Sequence, residues 1–577
     1  MQTLSRGHSA ELVQRGMERL RAQRILERLW DHDADLWSDD PATQQAIRQR
    51  LGWLSISEVM ARQVPILRRL ADEVRQDGLR QAFLLGMGGS GLFAEVCRNT
   101  IGVAANHLDL TVLDTTDPTA IRLHEQAVAL ETLLIIVSSK SGSTSEISAL
   151  SKYFYGRLSS LGKQAGMHCV AITDAGASLE AQAAAWPARR VLTHGPGTGA
   201  EVGGRFSALT YFGLFPAALM GLDIARLLGR AEEMLARCRP GAGSGPEENP
   251  AAQLGVVLGA LGSAGYDKLT LLCAPALASF GTWVEQLIAE SLGKAGRGIA
   301  PICGESSLEL SRYGADRIIV ELQVSSERDQ ALARHVEALA DARHPVIRIH
   351  WQDRYDLGGE VAKWFVATAI AGHLLELNPF DEPNVKESKD RTKALLEQYL
   401  REGRLAEPTP ALFADEEAAV YGSPADSRAS SLSQCLREFF QRMRPREYAV
   451  VLSFLPRTAT LDEAARVLRN ALGKRLGCAT MLGFGPRYLH STGQLYKGGP
   501  DNALFLQFTA EEERDLPIPG ERFTFGVLKQ AQALGDFQAM QQRGRRILRV
   551  HLRRDPERVI QRVAGSLDEA IARLARP

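Results

Sequence analysis

Two kinds of hydrophobic pattern follow each other along the chain. Residues 9–75 repeat apolar positions such as Leu12, Met17 and Leu20 at near-helical spacing, which predicts helices. From residue 81 onward, short apolar runs alternate with amphipathic stretches. The runs are typical of buried strands and cover residues 82–86, 110–114, 132–138, 169–173 and 189–193. Because the stretches between them are long enough for crossover helices, we predict a parallel sheet with helices on both faces.

Two further series of strand-like runs follow. A Pro/Gly/Ser-rich break at residues 240–250 precedes the runs 268–273, 317–324 and 345–351. Residues 402–430, rich in Ala, Glu, Ser and Pro, predict another linker before the runs 448–454, 479–485, 503–509 and 546–552. We therefore predict an α/β protein of four units: an N-terminal helical segment (1–80), two tandem α/β domains (81–238 and 251–400) and a smaller C-terminal α/β unit (431–577).

The composition is that of a soluble globular protein. Of 577 residues, 45% are hydrophobic, and Lys+Arg equals Asp+Glu at 68 each, so nucleic acid is not suggested as a partner. The most apolar stretch, residues 206–225, contains Pro216 and Asp223 and predicts a buried helix rather than a membrane span. The start of the chain shows no signal peptide, and the seven cysteines form no Cys-x-x-Cys pair. We expect a cytoplasmic protein with free thiols and no membrane partner.

A glycine loop, GMGGSG, directly follows the first predicted strand at residues 86–91. Backbone N–H groups in such a turn can approach an anion, which makes Gly88, Gly89 and Ser90 candidate binding residues. The same string satisfies G-x-G-x-x-G, and Asp114 ends the next strand as a ribose-binding acid would. The loop alone therefore leaves three interpretations open: a phosphate site, a dinucleotide site or a tight turn that needs small residues.

The loop SSKSGSTSE, residues 138–146, favours the phosphate site. Its hydroxyl groups and a helix beginning near Thr144 would enclose one phosphate monoester. The alternative is a capping box, Ser143-x-x-Glu146, which uses one hydroxyl and leaves the others unexplained. We predict that the loop binds phosphate and that it also caps the helix. The candidate ligands are Ser139, Lys140, Ser141, Ser143 and Thr144.

Together the two loops resemble those of the sugar isomerase (SIS) fold, in which they hold sugar phosphates. Residues 203–207 (GGRFS), 286–294 (QLIAESLGK) and 378–389 (NPFD, ending in a lysine) resemble segments of the phosphoglucose isomerase family, in the same order. Residues 483–499 (GFGPRYLHSTGQLYKGG) resemble the tail of bacterial isomerases that are fused to transaldolase. The resemblance implies two SIS-type domains and a sugar-phosphate substrate.

The activity that the resemblance implies is conversion of D-glucose 6-phosphate to D-fructose 6-phosphate through a cis-enediol, without metal or cofactor. A dual enzyme that also accepts mannose 6-phosphate, or a non-catalytic sugar-phosphate-binding SIS protein, remain alternatives. The histidines are dispersed and the cysteines lack ligand spacing, so no metal site is predicted.

Isomerisation needs a base between C2 and C1 and a cation for the developing oxyanion. The resemblance makes Glu290 the base, and the apolar pattern around it predicts a raised pKa. The resemblance also implies that Arg205 stabilises the enediolate. It implies that Gln286, one helical turn before Glu290, forms a hydrogen bond with the sugar. The alternatives are a structural ion pair for Glu290, a solvent-exposed Arg205 and a surface Gln286.

Ring opening needs a further acid and base. Lys389 matches the family's ring-opening lysine, although a solvated basic helix start is the alternative. Glu382 stands where the family usually has glutamine. The family's histidine, which comes from the partner subunit of a dimer, has no counterpart, since no histidine lies between His194 and His335. We therefore predict that His490 of the C-terminal unit replaces it. The alternative is that His490 is a hydrogen-bonded histidine in a polar loop. A homodimer remains possible.

Overall fold

The N-terminal segment is helical, as predicted, and also supplies one strand. The computed structural model describes residues 2–4, 7–196, 198–199, 201–243, 245–406, 408, 410–423 and 428–572, so the predicted limits at residues 1 and 577 lie outside the described part. The elements are β1 (Gln2–Leu4), α1 (His8–Ala22), α2 (Ile25–Trp30), α3 (Pro41–Arg48), α4 (Ile56–Ala61) and α5 (Val64–Gln76). In α5 the buried residues recur every three or four positions, which is the pattern that predicted the helix.

The first sheet contains every strand predicted for it. Its elements are β2 (Gln81–Gly86), α6 (Leu92–Thr100), β3 (Asp109–Leu113), α7 (Pro118–Gln126), β4 (Leu133–Ser138), α8 (Ser145–Leu158), β5 (Cys169–Asp174), α9 (Ser178–Ala185), β6 (Arg190–His194), α10 (Tyr211–Leu219) and α11 (Ile224–Cys238). The strands are parallel in the order β3-β2-β4-β5-β6. The chain leaves β2 to one side for β3 and returns on the other side as β4, so β2 marks the topological switch point.

The second sheet repeats this topology. Its elements are α12 (Pro250–Ser263), β7 (Lys268–Cys273), α13 (Ala278–Leu292), β8 (Ala300–Cys303), β9 (Arg317–Val324), α14 (Gln330–Asp341), β10 (Val346–Trp351), α15 (Leu357–Leu374) and α16 (Val385–Glu402). The order is β1-β10-β9-β7-β8, with only β1 antiparallel, and β7 takes the switch position. One hydrophobic core joins the N-terminal helices to both sheets, so the break at 240–250 separates elements rather than cores.

The C-terminal unit has a six-stranded sheet in the order β11-β12-β16-β15-β13-β14. Its elements are β11 (Phe413–Ala414), β12 (Ala418–Tyr421), α17 (Leu432–Phe440), β13 (Tyr448–Phe454), α18 (Ala459–Leu476), β14 (Thr480–Phe484), α19 (Gly493–Gly498), β15 (Ala503–Ala510), α20 (Phe525–Gln542), β16 (Arg546–Leu552) and α21 (Pro556–Ala572). Strands β13 to β16 are parallel. The prediction of a linker at 402–430 is wrong for β11 and β12, which form an antiparallel edge on β16.

The α/β prediction with parallel sheets is confirmed, and the apolar stretch 206–225 folds as α10, whose residues are all buried. Within the described ranges, no helix is long and apolar enough to cross a membrane. In the described part of the chain, the seven cysteines form no disulfide bond.

Buried polar contacts attach the C-terminal unit to the rest of the chain. Lys529 of α20 donates to Asp117 over 2.7 Å and also pairs with Glu512. The Asp117 side chain is completely buried. Gln532, on the next turn of α20, receives a hydrogen bond of 2.8 Å from Thr116. The unit is therefore anchored beside the carboxyl end of the first sheet.

Candidate functional site

A cavity of about 680 Å³ opens at the carboxyl ends of β2, β4 and β5; we call it the first-sheet cavity. Ligands of open α/β sheets bind at such a switch point. The predicted residues that line it are Gly88, Gly89, Ser90, Lys140, Ser141, Thr144, Arg205, Gln286, Glu290, Lys389 and His490. Ser139 is buried behind the lining, and Ser143 lies beside it on the loop.

The glycine loop brings three segments of backbone close together. A Cβ at Gly89 would lie 2.0 Å from the carbonyl oxygen of Gly204. Gly88 has a φ of +53°, and a Cβ there would lie 2.8 Å from the His490 carbonyl oxygen and 2.9 Å from Nε2 of Gln286. Glycine is thus required because the loop packs against the GGRFS segment, α13 and the C-terminal unit at once.

Asp114, the candidate ribose-binding acid of a dinucleotide site, is occupied by another contact. Oδ2 of Asp114 lies 3.0 Å from Nε of Arg487, a residue of the C-terminal unit that also pairs with Glu95. Burial raises the pKa of Asp114, although the Arg487 charge opposes this. Because Asp114 is buried and forms an ion pair with Arg487, it is not available to bind a ribose hydroxyl, which the G-x-G-x-x-G interpretation requires.

The phosphate loop, residues 138–146, leaves the amino terminus of α8 uncapped. Among the residues that the structure describes, no side chain caps this helix, so the prediction of a Ser143-x-x-Glu146 capping box is wrong. Instead Oγ of Ser141 lies 2.9 Å from Oγ of Ser143, and Oγ of Ser139 lies 3.3 Å from Oγ1 of Thr144. The free N–H groups and the helix dipole remain directed at the cavity, where an anion would be stabilised.

Lys140 is held at the cavity wall by an ion pair with Asp174, at the end of β5. Oδ1 of the same carboxylate lies 3.6 Å from Nδ1 of the buried His194. Burial, reinforced by the Lys140 charge, lowers the pKa of His194 to about 3, so this imidazole is neutral. The cation therefore faces the phosphate loop with one carboxylate partner.

Glu290 lies on α13 with its carboxylate in the cavity and only 9% of its surface exposed. Nε2 of Gln286 donates to Oε2 of Glu290 over 3.1 Å and to the carbonyl of His490 over 3.0 Å. NH1 of Arg205 lies 3.4 Å from Oε1 of Glu290. Burial raises the pKa of Glu290, as expected from its apolar neighbours; Arg205 opposes the rise and Glu382 adds to it. Gln286 is buried rather than on the surface.

Arg205 is buried and fixed by several acceptors. NH1 donates to Oε2 of Glu382 over 2.9 Å, and NH2 donates to the carbonyls of Pro379 and Asp381 over 2.7 and 2.9 Å. Glu382 also accepts from Arg50 over 3.1 Å. The two arginines lower the pKa of Glu382 despite its burial. Arg50 comes from the N-terminal helices, where its sequence context gave no signal of a site.

The C-terminal unit places His490 in the cavity next to a buried carboxylate. Nε2 of His490 lies 2.8 Å from Oε1 of Glu146, which also accepts from Gln532 over 2.7 Å. Burial would raise the pKa of Glu146, but the charge and hydrogen bond of His490 outweigh it and lower it to about 2. Lys389, at the start of α16, is exposed at the cavity and has no hydrogen-bond or ion-pair partner among the described residues.

The segment that carries His490 is held against the second α/β domain. Nε2 of Gln494 donates to the carbonyl of Gly293 over 3.0 Å, and its Oε1 accepts from the backbone of Asn384 over 2.8 Å. Lys497 donates to the buried Asp536 over 2.7 Å. The motif GFGPRYLHSTGQLYKGG thus positions a histidine between α13 and α16. Among the residues that the structure describes, no group of three or more His, Cys, Asp or Glu is arranged to hold a metal ion.

Comparison with known proteins gives several relatives named glucose-6-phosphate isomerase. The chain is 30% identical to a glucose-6-phosphate isomerase from Enterococcus faecalis, covering 45% of this chain and 65% of that one. It is 32% identical to a glucose-6-phosphate isomerase from Bacillus cytotoxicus, of which it covers 51%. With the one from Rubrobacter xylanophilus it shares 29% identity over 58% of this chain and 85% of the relative. The chain thus spans about half to two thirds of the first two relatives. No family model matches.

Solved structures share the fold. A hypothetical protein from Thermus thermophilus superposes with a TM-score of 0.58 at 22% identity, covering 68% of this chain and 99% of that one. A glucose-6-phosphate isomerase from Chlamydia trachomatis superposes with a TM-score of 0.50 at 19% identity, covering 65% of this chain and 78% of that one. The resemblance to the phosphoglucose isomerase family that the motifs predicted is confirmed.

Proposed function

We propose that this protein is an aldose–ketose isomerase that interconverts D-glucose 6-phosphate and D-fructose 6-phosphate without a metal ion. The observation that carries the proposal is that one cavity holds both an uncapped phosphate loop and a buried carboxylate with a raised pKa, beside a fixed guanidinium. The volume of about 680 Å³ lies within the usual range for small-molecule sites. The names of the relatives agree with this activity.

The phosphate group binds at one end of the cavity. Lys140 supplies a charge, Ser141 and Thr144 supply hydroxyls, and the amino terminus of α8 supplies N–H groups. Gly88 and Gly89 let the backbone approach the sugar closely. Binding energy at this end, remote from the reacting carbons, orients C1 and C2 for the proton transfer.

The proton moves at the other end. Glu290 removes the proton from C2 of the open-chain aldose and returns it to C1, which gives the ketose through a cis-enediol. A carboxylate with a raised pKa suits transfer in both directions near neutral pH. Arg205 stabilises the charge that develops on the enediolate oxygen, and Gln286 holds Glu290 in place through its 3.1 Å hydrogen bond.

Ring opening uses groups from two units. Lys389 and His490 both line the cavity, and the Glu146 carboxylate orients the His490 ring at 2.8 Å. One group donates a proton to the ring oxygen while the other accepts the proton of the C1 hydroxyl. Because His490 comes from the same chain, we propose that each chain carries a complete site, whatever its oligomeric state.

A coupled assay tests the proposal. Production of fructose 6-phosphate from glucose 6-phosphate is followed in the presence of EDTA, with mannose 6-phosphate in a parallel assay that tests for dual specificity. The Glu290→Gln variant should bind glucose 6-phosphate but lose at least about 100-fold in kcat, as expected for removal of a general base. Absence of turnover in the wild type, together with intact sugar-phosphate binding, would instead indicate a non-catalytic binding protein.

A further inference from the structure

A second cavity, of about 550 Å³, lies at the carboxyl ends of β7 and β8; we call it the second-sheet cavity. The first-sheet cavity is walled by the residues that precede α6 and by the side of α13. The second-sheet cavity is walled by the start of α13 and by the side of α6. Because β7 occupies the switch position in its sheet, this is where an open α/β sheet binds a ligand. The C-terminal unit covers both cavities, with His490 at the first and α18 at the second.

Arg469 of α18 gives the second-sheet cavity a cation without a carboxylate partner. The residue is only 5% exposed. NH1 donates to the carbonyl of Cys303 over 3.0 Å, NH2 donates to the carbonyl of Gly304, and Nε donates to Oδ1 of Asn470 over 3.1 Å. No carboxylate oxygen lies within 4.0 Å of it in the described part of the chain. A buried charge that is satisfied only by neutral acceptors is costly until an anion joins it.

The carboxyl groups at this cavity are already neutralised. Glu95 pairs with Arg487, and Glu305 pairs with the buried Arg317 over 2.6 Å. Burial raises the pKa of Glu285 to about 8, so its carboxyl group is protonated at neutral pH. The charge of Arg469 therefore persists at the lining.

Two further arginines at the lining, Arg457 and Arg466, pair with carboxylates that lie outside it. Their partners are Asp462 at 2.9 Å and Glu463 at 3.3 Å. Their charges are thus balanced locally, and Arg469 carries the lining charge that has no carboxylate within ion-pair distance in the described part of the chain.

The start of α13 adds unsatisfied donors. No side chain of the described ranges caps this helix of 15 residues. Oγ of Ser279, in its first turn, is buried and has no hydrogen-bond partner within the same ranges. A buried hydroxyl without a partner is unusual in a folded protein, and an anion bound at this helix start would supply an acceptor for it. We propose that the second-sheet cavity binds a phosphorylated small metabolite, whose phosphate lies between Arg469, Ser279 and the amino terminus of α13. Gly88 and Gln286 line both cavities, but Arg469, Ser279 and the amino terminus of α13 have no part in the proposed isomerase reaction, and this proposal does not rest on it.

Isothermal titration calorimetry with pyrophosphate as the probe tests the site. The full chain is used with Lys140→Gln and Ser141→Asp, which remove a positive charge from the phosphate loop and add a negative one, so that the second-sheet cavity is observed alone. We expect one binding event, weakened about 10- to 100-fold by Arg469→Gln, as for loss of a charged hydrogen bond. Arg401→Gln, an exposed arginine on α16, is the matched control and should leave the affinity unchanged.

Ser279→Asp is the second variant, because it adds a negative charge at a helix start without removing any hydrogen bond seen in the structure. It should retain the melting temperature and abolish pyrophosphate binding. No binding event in the phosphate-loop variant, or binding that neither Arg469→Gln nor Ser279→Asp weakens while both variants remain folded, would overturn the proposal.

Discussion

Replacing Glu146 by glutamine tests how the C-terminal unit contributes to ring opening. The change keeps the shape of the side chain and an acceptor for Gln532, but removes the negative charge 2.8 Å from His490. We expect the variant to fold and to bind glucose 6-phosphate. Ring opening should slow because a protonated His490 ring loses its counter-charge and the tautomer is no longer fixed.

The size of the effect follows from the pKa of Glu146, which falls from 4.5 to about 2 in the folded protein. At 1.36 kcal/mol for each pKa unit, the favourable interactions exceed the burial penalty by roughly 3 kcal/mol. Because the pKa is depressed, this stabilisation is present above about pH 4.5 and is lost as the pH falls towards 2. Acid–base catalysis contributes about 100- to 10,000-fold in general, so we expect Glu146→Gln to lower kcat/KM about 10- to 100-fold.

A double-mutant cycle provides the assay. The rates of wild type, Glu146→Gln, His490→Ala and the double variant are measured with glucose 6-phosphate and with its 4,5-dideoxy analogue, which cannot close a five- or six-membered ring. If Glu146 acts through His490, the double variant should be no slower than His490→Ala, and the analogue should be converted at nearly wild-type rate by all four. Equal losses from Glu146→Gln in the presence and absence of His490 would refute the reasoning, as would equal losses on the two substrates.

Three further predictions follow from the contacts around the cavity. Glu382→Gln removes a negative charge that raises the pKa of the candidate base, so the acidic limb of the kcat/KM profile should move to lower pH; an unmoved limb contradicts this. Gly89→Ala should cost about 1–3 kcal/mol of unfolding free energy and most of the activity, whereas Gly204→Ala, whose Cβ meets nothing within 4 Å, should do neither; thermal melts and the coupled assay compare them. Lys529→Met leaves the buried Asp117 unpaired and should lower the unfolding free energy in urea by about 3–5 kcal/mol; an unchanged urea midpoint contradicts this.

The strands and the location of the cavity could be predicted because they depend on local patterns. Runs such as KLTLLC and RIIVELQV are apolar enough to be strands in any context, and β7 and β9 match them residue for residue. The carboxyl ends of parallel strands share one edge, so the glycine loop and the phosphate loop had to meet. In contrast, the sequence did not indicate three of the strands. Pairing with neighbouring strands, rather than an apolar pattern, determines the strand structure of β8, which contains a proline, and of the short β11 and β12.

The partners of the site residues depend on contacts between distant segments. Glu146 and His490 are 344 positions apart, and their pairing depends on how α20 and the C-terminal sheet dock. The position of Glu146 three residues after Ser143 indicated a helix cap, because this local pattern is common, but tertiary contacts determine its role. Arg50 likewise reaches Glu382 only through the packing of the N-terminal helices.

The contacts that hold His490 over the first-sheet cavity have a consequence for how the proposed site is assembled. Because the candidate base Glu290 and His490 line one cavity of a single chain, the proposed site forms when the chain folds and does not depend on an association equilibrium. The specific activity of the protein should therefore not fall on dilution. Mixing Glu290→Gln chains with His490→Ala chains should restore no activity, whereas a site shared between subunits would regain part of it in the hybrid.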